Sequence, residues 1–400
     1  MSAADTDRET AIAVVGAGPV GLAAALVLSD AGYQVALVAP ARPPADERTS
    51  ALLAGSVALL AKIGIWQQVA SEAAPLSTMR IVDGTARLIR APEVAFHAGE
   101  IGLDAFGHNI PNAVLVSALE AAIDTRPITR REAFVEAVAP AADFFALTLS
   151  TGETLTARLV VAADGRRSKV RDGVGIGTQN WRYDQAALVC NLSHTIPHDN
   201  TSTEFHTEAG PFTLVPLPGK RSSLVWVDRP SETERRLKLG EAELAAEIEA
   251  RSQSVLGAVA IDGKRQMFPL SGMNARRFAA DRAVLAGEAA HVFPPIGAQG
   301  LNLGYRDVTA LAEVLTGPKD DPGAADVLAA YDRARRGDVF SRTAAVDALN
   351  RTLLSGFLPV HALRGAGLFL LDRLPPLRRF AMRQGVAFSA SGTDRPAGYP

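Results

Sequence analysis

The segment that most restricts this chain lies late: Ala283-Val-Leu-Ala-Gly287-Glu288-Ala-Ala-His291-Val-Phe-Pro294-Pro295-Ile-Gly297-Ala-Gln299-Gly300-Leu301-Asn302-Leu-Gly304. An apolar strand runs into a turn too rich in glycine and proline for helix, and a helix resumes near Asn302. Glycine lets the backbone come close to a ligand, and a helix N-terminus offers bare N–H groups, so the segment suits an electron-rich ligand. A second segment, Ala11-Ile-Ala-Val-Val15-Gly16-Ala-Gly18-Pro19-Val-Gly21, reads as strand, glycine turn and helix start. Residues 22–28 continue as helix and 35–38 form the next strand. This is the βαβ dinucleotide fingerprint: Gly16 makes the turn, Gly18 admits a pyrophosphate, and Gly21 lets the helix pack on the strand. Together the two segments point to a flavin dinucleotide on a Rossmann-like α/β domain.

One departure stands at the end of the second strand, where Ala39 occupies the place of the ribose-binding acid. Arg42 follows, which alone would suit the 2′-phosphate of NADP. A third segment, Leu159-Val-Val-Ala-Ala-Asp164-Gly165-Arg-Arg167-Ser168-Lys-Val-Arg171, favours the flavin. It reads as a buried strand, an acidic turn and a helix whose N-cap is Ser168. Arg167 and Arg171 either pair with phosphates or anchor that helix.

With these segments in order, the chain resembles the FAD-dependent aromatic hydroxylases of the para-hydroxybenzoate hydroxylase type. The resemblance implies that Asp164 and Gly165 touch both flavin and nicotinamide nucleotides, and that the late Gly287-Glu288 pair holds the ribityl chain, with Glu288 where relatives carry Asp. The run 295–307 and Arg48-Thr-Ser-Ala-Leu52 are similar to signatures of the ubiquinone-biosynthesis hydroxylases. Asn112-x-x-Leu115-x-x-x-Leu119 resembles the helix that lends a polar side chain to the flavin. The implied cofactor set is Gly16, Gly18, Pro19, Gly21, Arg48, Asn112, Asp164, Gly165, Gly287, Glu288, Pro295, Gly297, Gly300, Leu301 and Asn302. The implied reaction is ring hydroxylation of a polyprenyl phenol through a C4a-hydroperoxyflavin, using O2, with NAD(P)H as a transient reductant, since no second glycine fingerprint exists. No side chain is singled out as catalytic, and His291, on the cofactor turn, is left open. Two other readings remain: a monooxygenase of the same fold for a small soluble phenol, and a non-catalytic flavoprotein subunit of a quinone-biosynthesis complex.

Three separated segments meeting at one cofactor require a discontinuous domain, expected over 1–72, 98–180 and 273–345. The insertions 73–97 and 181–272 then form a β-sheet substrate domain, and 346–400 a C-terminal helical segment. Within the larger insertion, 212–217 and 222–227 flank Pro218-Gly219-Lys220 as a hairpin, and 241–252 read as an amphipathic helix. A net charge of −2 and the lack of a basic run exclude a general nucleic-acid groove. The single cysteine, Cys190, excludes an intrachain disulfide and suits buried packing in a cytoplasmic protein. His194 and His198 have helical metal-ligand spacing, but Pro197 opposes the helix, so two exposed loop histidines and no metal are expected. No apolar run is long enough to span a bilayer, 353–371 being interrupted by Pro359, His361 and Arg364. The Arg-rich C-terminus, with Arg373, Arg378, Arg379 and Arg383 mixed with Leu and Phe, reads first as a helical pair packing on the flavin domain and second as peripheral contact with the inner membrane face.

Overall fold

The computed structural model describes residues 9–41, 46–85, 92–294, 299–316, 321–354 and 373–386. Its first sheet contains β1 (Glu9–Val15), β2 (Val35–Ala39), β8 (Ile128–Glu132), β9 (Val135–Pro140), β10 (Phe145–Leu149), β11 (Thr154–Ala162), β17 (Ala279–Ala280) and β18 (Ala283–Leu285). The order β17-β18-β11-β1-β2-β8 has a parallel centre, with β10 and β9 added antiparallel beside β11. Such strands are covered on both faces and are therefore apolar without alternation, as the buried run Val35–Ala39 is. Between β1 and β2 runs α1 (Pro19–Asp30), whose residues from Leu22 to Leu28 are all buried.

A second sheet is built mostly from later residues: β5 (Thr78–Asp83), β6 (Val94–His97), β12 (Thr178–His194), β13 (Thr201–His206), β14 (Pro211–Leu217), β15 (Arg221–Asp228), β16 (Val259–Ala275) and β19 (His291–Val292). Its order is β19-β16-β12-β15-β14-β13-β5-β6. A smaller sheet joins β3 (Thr49–Leu53), β7 (Gly107–Pro111) and β4 (Ala74–Pro75). The helices after α1 are α2 (Ala54–Lys62), α3 (Trp66–Val69), α4 (Asn112–Ile123), α5 (Lys169–Gly173), α6 (Pro230–Lys238), α7 (Glu241–Arg251), α8 (Gln299–Val314), α9 (Ala325–Leu354) and α10 (Pro375–Val386). The architecture is the expected α/β one, a Rossmann-like sheet joined to an inserted β-sheet and followed by helices.

The two faces of the second sheet differ. One packs Leu188, Cys190, Leu192, Phe205, Phe212 and Leu224 against Leu244 and Ile248 of α7. On that face burial pushes the Cys190 thiol up to about 12, so it stays protonated and packs as a small apolar group. On the other face, cross-strand pairing aligns Gln266, Val189, Val225, Thr213 and Glu204 in one row, and Phe268, Ala187 and Val227 in the next. This face turns toward the first domain: the Arg48 guanidinium lies 5.1 Å from the Phe268 ring centroid. Asn109 of β7 donates at 2.9 Å to the Pro216 carbonyl of β14, fixing the two sheets together.

Two expectations are corrected here. His194 is not an exposed loop residue: it ends β12, buried, with Nδ1 2.8 Å from the Ile196 carbonyl and Nε2 3.0 Å from Ser222 Oγ. Arg378 is not an interfacial arginine. It is buried beneath α10, donating through Nε to Glu100 Oε2 at 2.7 Å and to the Ala95 carbonyl, with its guanidinium 4.7 Å from the Phe96 ring centroid. Met382, one turn on, packs with Ala98 and Phe106, so α10 docks through the stripe that carries both residues. Arg379 and Arg383 lie on the outer side. Among the described residues no helix is long and apolar enough to cross a membrane.

Candidate active site

At the end of β1 the chain turns through Gly16, whose φ of +110° favours glycine and where a Cβ would lie 2.2 Å from the Ala163 carbonyl oxygen. Gly21 is closed for another reason: a Cβ there would lie 1.9 Å from the Gly16 oxygen, so α1 can approach the turn only without a side chain. Gly18 is the opposite case. Nothing stands within 4 Å of its Cβ position, it starts α1 with Pro19 as the first helical residue, and no side chain caps the helix. No acidic residue occupies the first turn either. The positive end of the α1 dipole therefore faces open space, as an anionic pyrophosphate requires.

The late segment packs onto this turn through one side chain. Val20 of α1 would meet a Cβ at Gly287 at 3.1 Å and one at Gly304 at 2.4 Å. Gly287, at φ +60°, opens a short 3-10 turn, and Gly300 stands with open space around its Cβ position in the first turn of α8. The N-terminal ends of α1 and α8 thus meet at Val20. Glu288 is exposed on the 3-10 turn, and Leu301 is half-buried. Asn302 is buried and spends its amide on protein: Oδ1 accepts from Leu53 N at 2.8 Å and Ser56 Oγ at 2.6 Å, while Nδ2 donates to the Ala51 carbonyl. It clamps the β3–α2 corner to α8. Pro295 and Gly297 lie outside the described residues.

Asp164 and Gly165 follow β11 beside this site. Asp164 Oδ2 accepts from the Lys169 and Val170 N–H groups at 2.8 and 3.3 Å, and Ser168 Oγ accepts from Arg171 N at 3.0 Å, so both cap α5. Asp164 Oδ1 is buried and without a hydrogen-bond partner, and burial raises this carboxyl against those bonds. Arg171 anchors α5 by donating to the Ala289 carbonyl at 3.2 Å.

Arg48 and Asn112 are joined by a residue the sequence reading missed. Asp46 takes the Arg48 fork, Nε to Oδ1 and Nη2 to Oδ2 at 2.8 Å each, and accepts from Asn112 Nδ2 at 2.8 Å. Ser50 Oγ donates to Asn112 Oδ1 at 2.6 Å. Burial opposes ionisation of Asp46, but these donors outweigh it and hold the carboxyl below the usual range. The Asp46 hydrogen bond raises the Arg48 pKa, and the charge of Glu288 adds to it across space. Ala39 pairs in parallel register with Glu132 of β8, an exposed carboxylate at the strand end where β2 has none.

His291 supports the turn. It is buried, with Nε2 2.8 Å from Asp307 Oδ2, the same oxygen that accepts from Gly287 N at 2.8 Å. Asp307 Oδ1 takes Arg335 Nε at 2.6 Å, and Asp338 gathers Arg335, Arg306 and Arg342. Burial disfavours the Asp307 charge, yet His291 and Arg335 outweigh it and its pKa is lowered. Asp307 stands within the run resembling the family signature. Arg335 and Asp338 lie on α9, where no motif marks them.

The matching families now define the class. Residues 9–344 match the family described as FAD binding domain, and the chain belongs to it: it is an FAD-dependent monooxygenase of the aromatic hydroxylase group. It is 34% identical to a ubiquinone hydroxylase of Rhodospirillum rubrum, over 98% of this chain and 92% of that one. It is 33% identical to the 3-demethoxyubiquinol 3-hydroxylase of Escherichia coli, over 95% of this chain and 99% of that one. Its fold is similar to that of p-nitrophenol 4-monooxygenase from Pseudomonas putida, with TM-score 0.76 at 21% identity over 94% of this chain and 98% of that one. The Klebsiella pneumoniae protein HpxO, solved with FAD, also aligns at TM-score 0.76, with 18% identity over 96% of this chain and 100% of that one. The open Gly18 and Gly300 positions fit the cofactor.

Proposed function

We propose that the chain hydroxylates the aromatic ring of a polyprenyl phenol on the route to ubiquinone, taking electrons from NAD(P)H, while resting against a bilayer. Bound FAD supplies the two-electron chemistry that activates dioxygen. The first turn of α1 at Gly18 and Pro19 would take the pyrophosphate, and the start of α8 at Gly300 and Leu301 would direct N–H groups to the electron-rich edge of the flavin. Arg48, set by Asp46 and Asn112 and stacked on Phe268, stands where the first domain meets the substrate sheet. With Glu288, Asp164 and Gly165 it would complete the cofactor shell.

The observations that carry this reading are the open glycine cradle and a sheet face, turned to the first domain at Arg48, whose central valines, Val189 and Val225, are only partly buried. An apolar wall there suits an aromatic ring and keeps water from the reacting atoms. The names of the two bacterial relatives support ubiquinone precursors as substrates. Bilayer contact is supported by α10, where Leu377 and Phe380 are 43% and 62% exposed beside outward Arg379 and Arg383. The sheet face reaches this helix through Met79, paired with Ser202 and Phe96, so a tail leaving the ring is directed toward the lipid side. Deleting the gene from its host tests the proposal: a ubiquinone precursor lacking one ring oxygen accumulates, and unchanged ubiquinone with no such precursor would refute it.

A further inference from the structure

On the face of the second sheet that turns to the first domain, one row is apolar through Val189 and Val225 and then becomes polar. Thr213 follows on β14 and Glu204 on β13. Glu204 Oε1 lies 2.8 Å from His206 Nε2, and Thr213 Oγ1 donates to Oε2 at 3.3 Å. The His206 side chain is 6% exposed and that of Glu204 is 23% exposed. The carboxylate is thus tethered from two sides yet still partly exposed, on the same sheet face as the apolar row. It has further acceptor capacity, since two carboxylate oxygens take about four hydrogen bonds.

We propose that Glu204, held by His206 and Thr213, accepts the hydrogen bond of the substrate's ring hydroxyl. This rests on reading the substrate as a phenol. The valines receive the ring, and beyond Thr213 the row presents one carboxylate, where a donor must sit. An O–H donated to a carboxylate gains electron density on oxygen and ring, which favours attack by an electrophilic oxygen; the proton remains shared and no net transfer is required. His206 and Thr213 are positioning residues, keeping Glu204 from folding back into the sheet.

The test uses the purified FAD-loaded protein and two probes, 2-(3-methylbut-2-enyl)phenol and its methyl ether, titrated through the change in flavin absorbance. Wild-type protein is expected to bind the phenol about 10- to 100-fold more tightly than the ether, the range of a hydrogen bond to a charged group. Glu204→Gln removes most of that preference by weakening the phenol alone, with FAD content unchanged. His206→Gln reduces the preference less, because the carboxylate stays. Equal binding of both probes by wild-type protein would overturn the Glu204 assignment while leaving a ring-binding hydroxylase intact. No response to either probe would overturn the phenol reading and this inference with it.

Discussion

At the residue scale, the glycines of the first turn separate a steric requirement of folding from one of binding. Gly18→Val places a branched side chain in open space, so the fold and thermal stability are retained while FAD affinity falls by more than about tenfold, measured by flavin retention and rebinding. Gly21→Val meets the Gly16 oxygen and the helix cannot seat, so folded protein is lost. Retention of FAD by the first variant would make Gly18 a turn residue only. The buried ions behave differently. Arg335→Leu leaves Asp307 with His291 but without its arginine, and costs about 3–5 kcal/mol in denaturant unfolding. Burial opposes the Asp338 charge, but Arg335 and Arg306 bring its carboxyl down to about 2. Because the folded pKa lies below the unfolded one, this stabilisation is full above about pH 4 and is lost as pH falls toward 2, contributing at most about 2 kcal/mol. A stability curve unchanged from pH 4 to 2 in wild-type protein, relative to Asp338→Asn, would contradict the assignment.

At the scale of elements, the sequence was legible where the constraint is local. Gly16 is required by the positive φ of the β1–α1 turn and Gly21 by the Gly16 oxygen beside it, and the hairpin around Gly219 and the Leu244–Ile248 stripe of α7 follow from alternation and helical period. What needed the structure was burial decided by a distant partner. Arg378 looked like its neighbours until Glu100 and Phe96, far back in the chain, were seen to enclose it. Asp46 belongs to no motif, and it joins Arg48 to Asn112 only because β3 and α4 converge. The same distinction divides α10 into two testable sides. Arg379→Glu with Arg383→Glu reduces binding to anionic vesicles, by about 1 kcal/mol per arginine, without loss of stability. Arg378→Ala instead detaches the helix, read as faster proteolysis near residue 374 with FAD still bound. If wild-type protein ignores anionic vesicles at low salt, α10 docks on protein alone.

At the scale of the whole molecule, two sheets with different duties face each other. The mainly parallel sheet carries the glycine turns and helix ends proposed to take the cofactor, and the mainly antiparallel sheet carries the valines and the tethered carboxylate proposed to take the ring. Arg48 meets the second sheet at Phe268, Asn109 ties the small β3-β7-β4 sheet to it, and α10 closes the outer edge of the substrate face. The central claim, that this assembly inserts one oxygen atom of dioxygen into a phenol ring, is tested most directly by isotope-labelled dioxygen. Purified FAD-loaded protein, NAD(P)H and a short-chain prenylated phenol are incubated under the labelled gas and the product is weighed by mass spectrometry. The expected product carries one labelled oxygen on the ring, whereas an unlabelled hydroxyl, or consumption of NAD(P)H yielding only hydrogen peroxide, would contradict the account.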